Sequence, residues 1–150
     1  MKALLAMLVA TLTVACSVPV ERTEAVAIEF TYEPGEWAPA ELAAVHSAAY
    51  RWNAELGYDR IVLRAVSDTN AATLRRVSAD DIPGLDGWWG RGTGIKLAYV
   101  DEATAAHEMG HALGLHHVES GLMQPNLEGR GAELSEQDRA ECVRVGECVP

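Results

Sequence analysis

The chain has 150 residues, 49% of them apolar, with 22 Asp or Glu against 12 Lys or Arg and a formal net charge of −10 at pH 7. This length predicts one domain with a hydrophobic core of its own, and the composition is that of a soluble globular protein. The acidic balance, without any basic stripe, argues against a nucleic-acid partner because phosphate binding needs clustered Lys and Arg.

The first fifteen residues differ from the rest, because Lys2 is followed by an uncharged, largely apolar run. The run is too short to cross a bilayer comfortably and is typical of an export signal. Residues 13–16, TVAC, resemble a bacterial lipobox, in which the cysteine is acylated and becomes the mature N-terminus. We therefore expect a signal peptide over residues 1–15, lipidation at Cys16 and a tether over residues 16–24. These features predict a bacterial cell-envelope lipoprotein that is attached to the membrane only through Cys16. A simple secretory signal is the alternative.

Export also changes the interpretation of the other cysteines. If Cys16 carries lipid, Cys142 and Cys148 remain as an even pair in an oxidising compartment. Their separation suits a small closed loop at the C-terminus and is too wide for a C-x-x-C redox motif. We predict a disulfide between them.

Residues 25–150 are expected to form one α+β domain. A first helix is predicted over residues 39–56, with Pro39 in its first turn and Gly57 at its end. Segments that are rich in β-branched and aromatic residues predict strands: 25–32, 60–66, 72–78, a short strand near Trp88 and Trp89, and 95–100.

Two further helices are predicted in the second half of the chain. Asp101 is a suitable N-cap for a helix that runs to about Gly114. After a connection without predicted structure, Ser135 and Asp138 have the spacing of a capping box at the start of a final helix over residues 135–145.

The sequence HEMGHALGLHH, residues 107–117, contains four of the five histidines. His107 and His111 lie one turn apart on the same helix face, where both imidazoles can bind one zinc ion. Zinc needs a third ligand, and Gly114 can end the helix so that the chain turns back. His116 and His117 are both candidates. Adjacent side chains of an extended segment point in opposite directions, so only one can face the metal, and geometry alone does not choose.

Five residues of this segment match the pattern H-E-x-x-H-x-x-G-x-x-H: His107, Glu108, His111, Gly114 and His117. In this region the chain resembles the metzincin metallopeptidases. The resemblance implies that His117 is the third zinc ligand and that His116 is not a ligand.

Downstream residues extend this resemblance. Met123, in SGLMQP, is similar to the methionine of the metzincin Met-turn, which packs beneath the histidines. The sequence LSEQDRAEC resembles the start of the C-terminal helix in the matrixin branch, whereas Val118 fits neither matrixins nor other branches, which leaves the branch open. The fold implied is a small α+β catalytic domain with a twisted, mostly parallel sheet, an active-site helix, a Met-turn and a C-terminal helix.

The function implied is that of a zinc-dependent endopeptidase with one catalytic Zn²⁺. Glu108 would be the general base that takes a proton from the attacking water. The substrate would be a protein or peptide, which could pair with a strand at the rim of the cleft; Trp88 and Trp89 are the candidates for that rim. We expect a monomer, and His46 is expected to be an ordinary residue of the first helix.

Two other functions fit part of the pattern. A gluzincin would take its third ligand from a later helix, for instance Glu136 or Glu141, although His117 and Met123 argue against it. The alternative outside the enzymes is an exported zinc-binding lipoprotein without significant turnover, which would act as a binding or adhesion module. Glu108 argues against it.

Overall fold

The computed structural model of the chain describes residues 26–68, 73–126 and 133–148. The predicted signal peptide, Cys16 and the tether over residues 16–24 lie outside the described residues. So does the middle of the predicted connection, residues 127–132.

Within the described residues, the chain forms strands and helices in mixed order, as an α+β domain requires. A short 3₁₀ turn, Pro34–Glu36, precedes the first helix. The elements in chain order are β1 Ile28–Tyr32, α1 Pro39–Leu56, β2 Ile61–Ala65, β3 Leu74–Arg76, β4 Gly87–Gly90, β5 Gly94–Leu97, α2 Glu102–Ala112 and α3 Glu136–Val145.

The strands form two sheets, and two of their three pairings are parallel. β1 pairs with β2 in parallel, and β5 pairs in parallel with β3 and antiparallel with β4, which places β4 at the edge. Thr31 joins the two sets of strands, because its carbonyl accepts a hydrogen bond from the amide of Thr73 at 2.9 Å, next to the start of β3. The α+β class predicted from the sequence is confirmed, and most of the strand pairing is parallel, as predicted, although it is divided between two sheets.

α1 and α2 pack against each other, α1 beside β2 and α2 beside β4 and β5. α1 buries one face in the core, and Leu42 packs at the margin of the core. The indole Nε1 of Trp52 donates to the carbonyl oxygen of Ala106 at 2.7 Å, which ties the middle of α1 to the middle of α2. The buried residues of α1 are Val45, Ala48, Ala49, Trp52 and Leu56.

β5 is shorter than the strand predicted over residues 95–100. The amides of Ala98 and Tyr99 both donate to the carbonyl oxygen of Asp86, at 2.8 and 2.9 Å. Two successive amides that share one acceptor cannot continue the regular ladder, so the strand ends at Leu97.

The C-terminal helix is closed by a disulfide between Cys142 and Cys148, whose Cα atoms lie 5.1 Å apart. Cys142 is fully buried in the core, so the bond fastens the last turn of α3 to the loop that follows. Among the described residues, no helix combines the length and the apolar character that a membrane span requires.

The contact between α1 and α2 can be tested with two tryptophans that differ in one hydrogen bond. Trp52→Phe removes buried ring volume and the donor to Ala106, and we expect it to lower the free energy of unfolding by about 2–4 kcal/mol. Trp37 is 7% exposed, and its Nε1 has no hydrogen-bond partner within the described structure. Trp37→Phe should therefore lower the free energy of unfolding by only about 1–2 kcal/mol. Urea denaturation measures both, and equal losses would contradict a role for the Trp52 hydrogen bond.

Candidate metal centre

The helix α2 presents the first two histidines and the glutamate between them. Its N-cap is Asp101, whose carboxylate accepts a hydrogen bond from the amide of Thr104 at 2.7 Å, as its position predicts. The helix ends at Ala112, and Gly114 then adopts a φ of 90°, which turns the chain back towards the helix face that carries His107 and His111.

The turn brings His117 to the same point. One ring nitrogen from each of His107, His111 and His117 lies within 4.8 Å of the other two, and the Nε2 atoms of His111 and His117 are 3.1 Å apart. Nitrogen ligands of a tetrahedral zinc ion lie about 3.3 Å apart when each Zn–N distance is about 2.0–2.1 Å. The spacing therefore fits one zinc ion.

The second candidate for the third ligand, His116, lies outside this group. Its side chain is 76% exposed, and its Nδ1 lies 3.0 Å from a carboxylate oxygen of Glu141 on α3. The structure thus separates the two adjacent histidines as an extended segment would, with His117 towards the other imidazoles and His116 towards α3.

Two backbone carbonyls determine which nitrogen of each helical histidine can bind metal. The Nδ1 of His107 lies 2.7 Å from the carbonyl oxygen of Leu122, and the Nδ1 of His111 lies 2.9 Å from that of Leu115. A carbonyl oxygen can only accept, so the proton of each neutral imidazole is on Nδ1 and the lone pair is on Nε2. This is the tautomer that a metal ligand at Nε2 needs.

Met123 lies directly beneath α2. It is fully buried, and a Cβ atom added to Gly110 would lie 2.4 Å from its sulfur, so the helix packs on the methionine at the turn between the two ligand histidines. The carbonyl oxygen of Met123 accepts a hydrogen bond from the amide of Val118 at 3.1 Å, which closes the loop after His117. Met123 therefore supports the site by packing beneath the helix.

Asp138, on α3, holds this methionine turn from the other side. It is fully buried, and its carboxylate accepts hydrogen bonds from the amides of Leu122 and Met123, both at 2.8 Å. The same carboxylate caps α3 by accepting from the amide of Ser135 at 2.7 Å. The sequence predicts the cap, but nothing in it reveals the bonds to the turn, which lies 15 and 16 residues away.

These bonds connect Asp138 to a zinc ligand through a single peptide group. The peptide between Leu122 and Met123 donates its N–H to Asp138 and offers its carbonyl oxygen to the Nδ1–H of His107. The carboxylate therefore polarises the group that fixes the tautomer of His107.

Glu108 lies in the cleft that the three histidines line, and it is only 6% exposed. The cleft has a volume of about 250 Å³, and its other side is formed by residues 84–89, including Trp88 and Trp89. A Cβ atom added to Gly87 would lie 2.9 Å from the Oε1 of Glu108, so the glutamate packs directly on the backbone of β4.

Glu141 is the second carboxylate that α3 directs at the histidine loop. Its carboxylate pairs with the guanidinium of Arg144, and one oxygen accepts a hydrogen bond from the amide of His116 at 2.9 Å. The ion pair with Arg144, together with the bonds from His116, lowers the pKa of Glu141 to about 2 in spite of the opposing effect of burial. Glu141 is therefore ionised at neutral pH.

A helix with two histidines, a third histidine after a glycine turn and a methionine turn beneath them define a metzincin-type zinc peptidase. The model of the matrixin family, peptidase M10, matches residues 41–145, and the chain belongs to this family. No curated protein matches the chain. The family assignment confirms the resemblance and the zinc cofactor predicted from the sequence, and it resolves the branch that Val118 leaves open. The gluzincin alternative is wrong, because the potential ligand group among the described residues takes His117 and neither Glu136 nor Glu141, and because the chain belongs to the matrixin family.

The bond between Asp138 and the methionine turn can be tested by Asp138→Asn. One carboxylate oxygen is replaced by an amide that cannot accept, which leaves buried N–H groups unpaired. We expect the free energy of unfolding to fall by about 2–4 kcal/mol, measured by urea denaturation.

An exposed aspartate provides the control for this substitution. Asp81 accepts hydrogen bonds from the amide and the hydroxyl of Ser78, at 2.9 and 2.8 Å, with the same Ser-x-x-Asp spacing as Ser135 and Asp138. Asp81→Asn should be much less destabilising, since water can replace its bonds. A similar loss in both variants would mean that the methionine turn contributes nothing to the effect.

Proposed function

We propose that this matrixin is a zinc-dependent endopeptidase in which Glu108 is the general base. The observation that carries the proposal is that the buried carboxylate of Glu108 lines the same cleft as the three histidines. A zinc ion held there would activate water and polarise the scissile carbonyl by Lewis-acid catalysis.

The chain's own residues would supply the proton transfers. The carboxylate of Glu108 accepts the proton of the attacking water and then delivers it to the nitrogen of the leaving amine. The packing of Glu108 on Gly87 limits the positions that the carboxylate can take, which favours a fixed direction of proton transfer.

The ligand set supports catalysis over a structural role for the metal. Structural zinc sites have four protein ligands, whereas catalytic sites have three. Within the residues that the structure describes, the ligand group consists of His107, His111 and His117, and the nearest cysteines along the chain, Cys142 and Cys148, are bonded to each other.

The edge strand β4 supports a binding mode for an extended peptide. β4 is the last strand of its sheet, and Gly87, Trp88 and Trp89 line the cleft beside Glu108. A substrate that adds to β4 as a further strand would gain main-chain hydrogen bonds, while the two indoles would offer apolar surface to its side chains. Such a peptide would cross the cleft in front of the histidines.

Glu108→Ala separates catalysis from metal binding. We expect the variant to retain one zinc ion per chain and to lose about 10²–10⁴-fold in kcat/KM, because general acid–base catalysis contributes a factor of this size. Cleavage of casein and of a peptide library, with and without chelator, measures the activity, and elemental analysis measures the zinc.

Glu119→Ala is the matched control for this substitution. Glu119 is an exposed carboxylate two residues after His117 and does not line the cleft. The control should cleave as the native protein does. Undiminished turnover in Glu108→Ala would refute the role of Glu108, and zinc binding without cleavage in the native protein would favour a binding module.

We further propose that the protein acts outside the cytoplasm, attached to the cell envelope by lipid on Cys16. The export-signal-like residues 1–15 support this location, and the bond between Cys142 and Cys148 is compatible with an oxidising compartment.

Cys16→Ser tests the anchor. Cells grown with an alkyne-labelled fatty acid should label the native protein and retain it in the membrane fraction, whereas the variant should lose both the label and the membrane association. Ser17→Ala is the control and should be labelled. A native protein that is released without label, with a cleaved N-terminus, would instead indicate a simple secretory signal.

A further inference from the structure

The third zinc ligand belongs to a loop, and the loop needs its own support. His107 is buried and His111 half-buried on α2, whereas His117 is exposed and follows the end of the helix. The loop is held at Leu115, which is buried and whose amide donates to the carbonyl oxygen of Gly110 at 3.0 Å.

Glu141 holds the same loop from α3. Glu141 is 8% exposed, and its carboxylate accepts a hydrogen bond from the amide of His116 at 2.9 Å, one residue before His117. Arg144 donates from Nε and Nη2 to the two carboxylate oxygens, both at 2.5 Å, which orients the carboxylate and offsets the cost of its burial.

The amide that Glu141 binds and the carbonyl that fixes His111 belong to one peptide group. The peptide between Leu115 and His116 donates its N–H to Glu141 and accepts the Nδ1–H of His111 on its carbonyl oxygen at 2.9 Å. Negative charge at the N–H side of a peptide makes its carbonyl oxygen a stronger acceptor. The link from Glu141 to His111 therefore has the same form as the link from Asp138 to His107.

We propose that Glu141 is a positioning residue of the zinc site, which acts on His111 through the Leu115–His116 peptide and on His117 through the loop. The carboxylate stabilises the zinc-binding tautomer of His111 and restricts the position of His117, and both effects increase the affinity for zinc. Partners of metal-binding histidines commonly contribute a factor of about 10–100 to metal affinity.

The test is the zinc dissociation constant, measured by competition with a chromophoric chelator. All variants are made in the Glu108→Ala background, so that the result does not depend on whether the protein is a peptidase. We expect Glu141→Ala to bind zinc about 10–100-fold more weakly. Glu141→Asp keeps the charge but is one methylene too short to reach the His116 amide, and it should also weaken binding about 10-fold or more.

Two further variants separate positioning from general stability. Glu141→Gln keeps an acceptor for the His116 amide but loses the negative charge, so it should recover part of the affinity that Glu141→Ala loses. Glu55→Ala removes a comparable ion pair, between Glu55 on α1 and Arg139 on α3, without touching the histidine loop. Its zinc affinity should stay within about twofold of the parent.

A spectroscopic measurement adds a readout that loss of stability would not move. With Co²⁺ in place of zinc, the visible d–d bands of Glu141→Ala should shift relative to the parent, since the ligand field of His111 and His117 changes, while Glu55→Ala should leave them in place. The proposal is overturned if Glu141→Ala and Glu141→Asp both bind zinc within about threefold of the parent. It is also overturned if Glu55→Ala loses as much affinity as they do.

Discussion

Two hydrogen bonds from imidazole N–H groups to backbone carbonyls are the interactions on which the metal centre depends. They place the lone pairs of His107 and His111 at Nε2, where the third imidazole meets them. Imidazole lone pairs directed at one point repel each other unless a cation lies between them. The arrangement is therefore stable as a binding site only when the surrounding peptide groups are held firmly.

The carboxylates that hold these peptide groups come from one face of one helix, α3. Asp138 and Glu141 are three residues apart on α3, which places both carboxylates towards the loops beneath α2. Each binds the N–H of the peptide whose carbonyl oxygen accepts from a ligand histidine. α3 thus contributes no ligand to the metal and still determines how two of the three ligands are presented.

The sequence predicts the metal ligands better than it predicts the hydrogen bonds that hold them in place. His107 and His111 follow from helical spacing, and the family resemblance selects His117 and the general base Glu108, because the chemistry of these residues is encoded within eleven consecutive positions. The contacts of Asp138 and Glu141 join residues 15 to 25 positions apart, and periodicity carries no information about such pairs. Capping-box spacing predicts only the local bond of Asp138 to Ser135. β5 is shorter than its sequence predicts for a related reason, since the amides that end it bind the carbonyl oxygen of Asp86, just before the neighbouring strand β4, and the local pattern of β5 does not reveal this contact.

The disulfide between Cys142 and Cys148 also supports the metal centre, because it holds the end of α3. Cys142 follows Glu141 directly, and its carbonyl oxygen accepts from the amides of Glu147 and Cys148 at 3.1 and 3.2 Å, so the end of α3 is folded back on itself. Arg60 then pairs with both carboxylate oxygens of Glu147 at 2.8 Å and fastens this end to the loop before β2. A helix of ten residues has little stability on its own and depends on tertiary contacts. Because the carboxylates that orient the zinc ligands lie on that helix, the bond between Cys142 and Cys148 stabilises the metal centre without touching it.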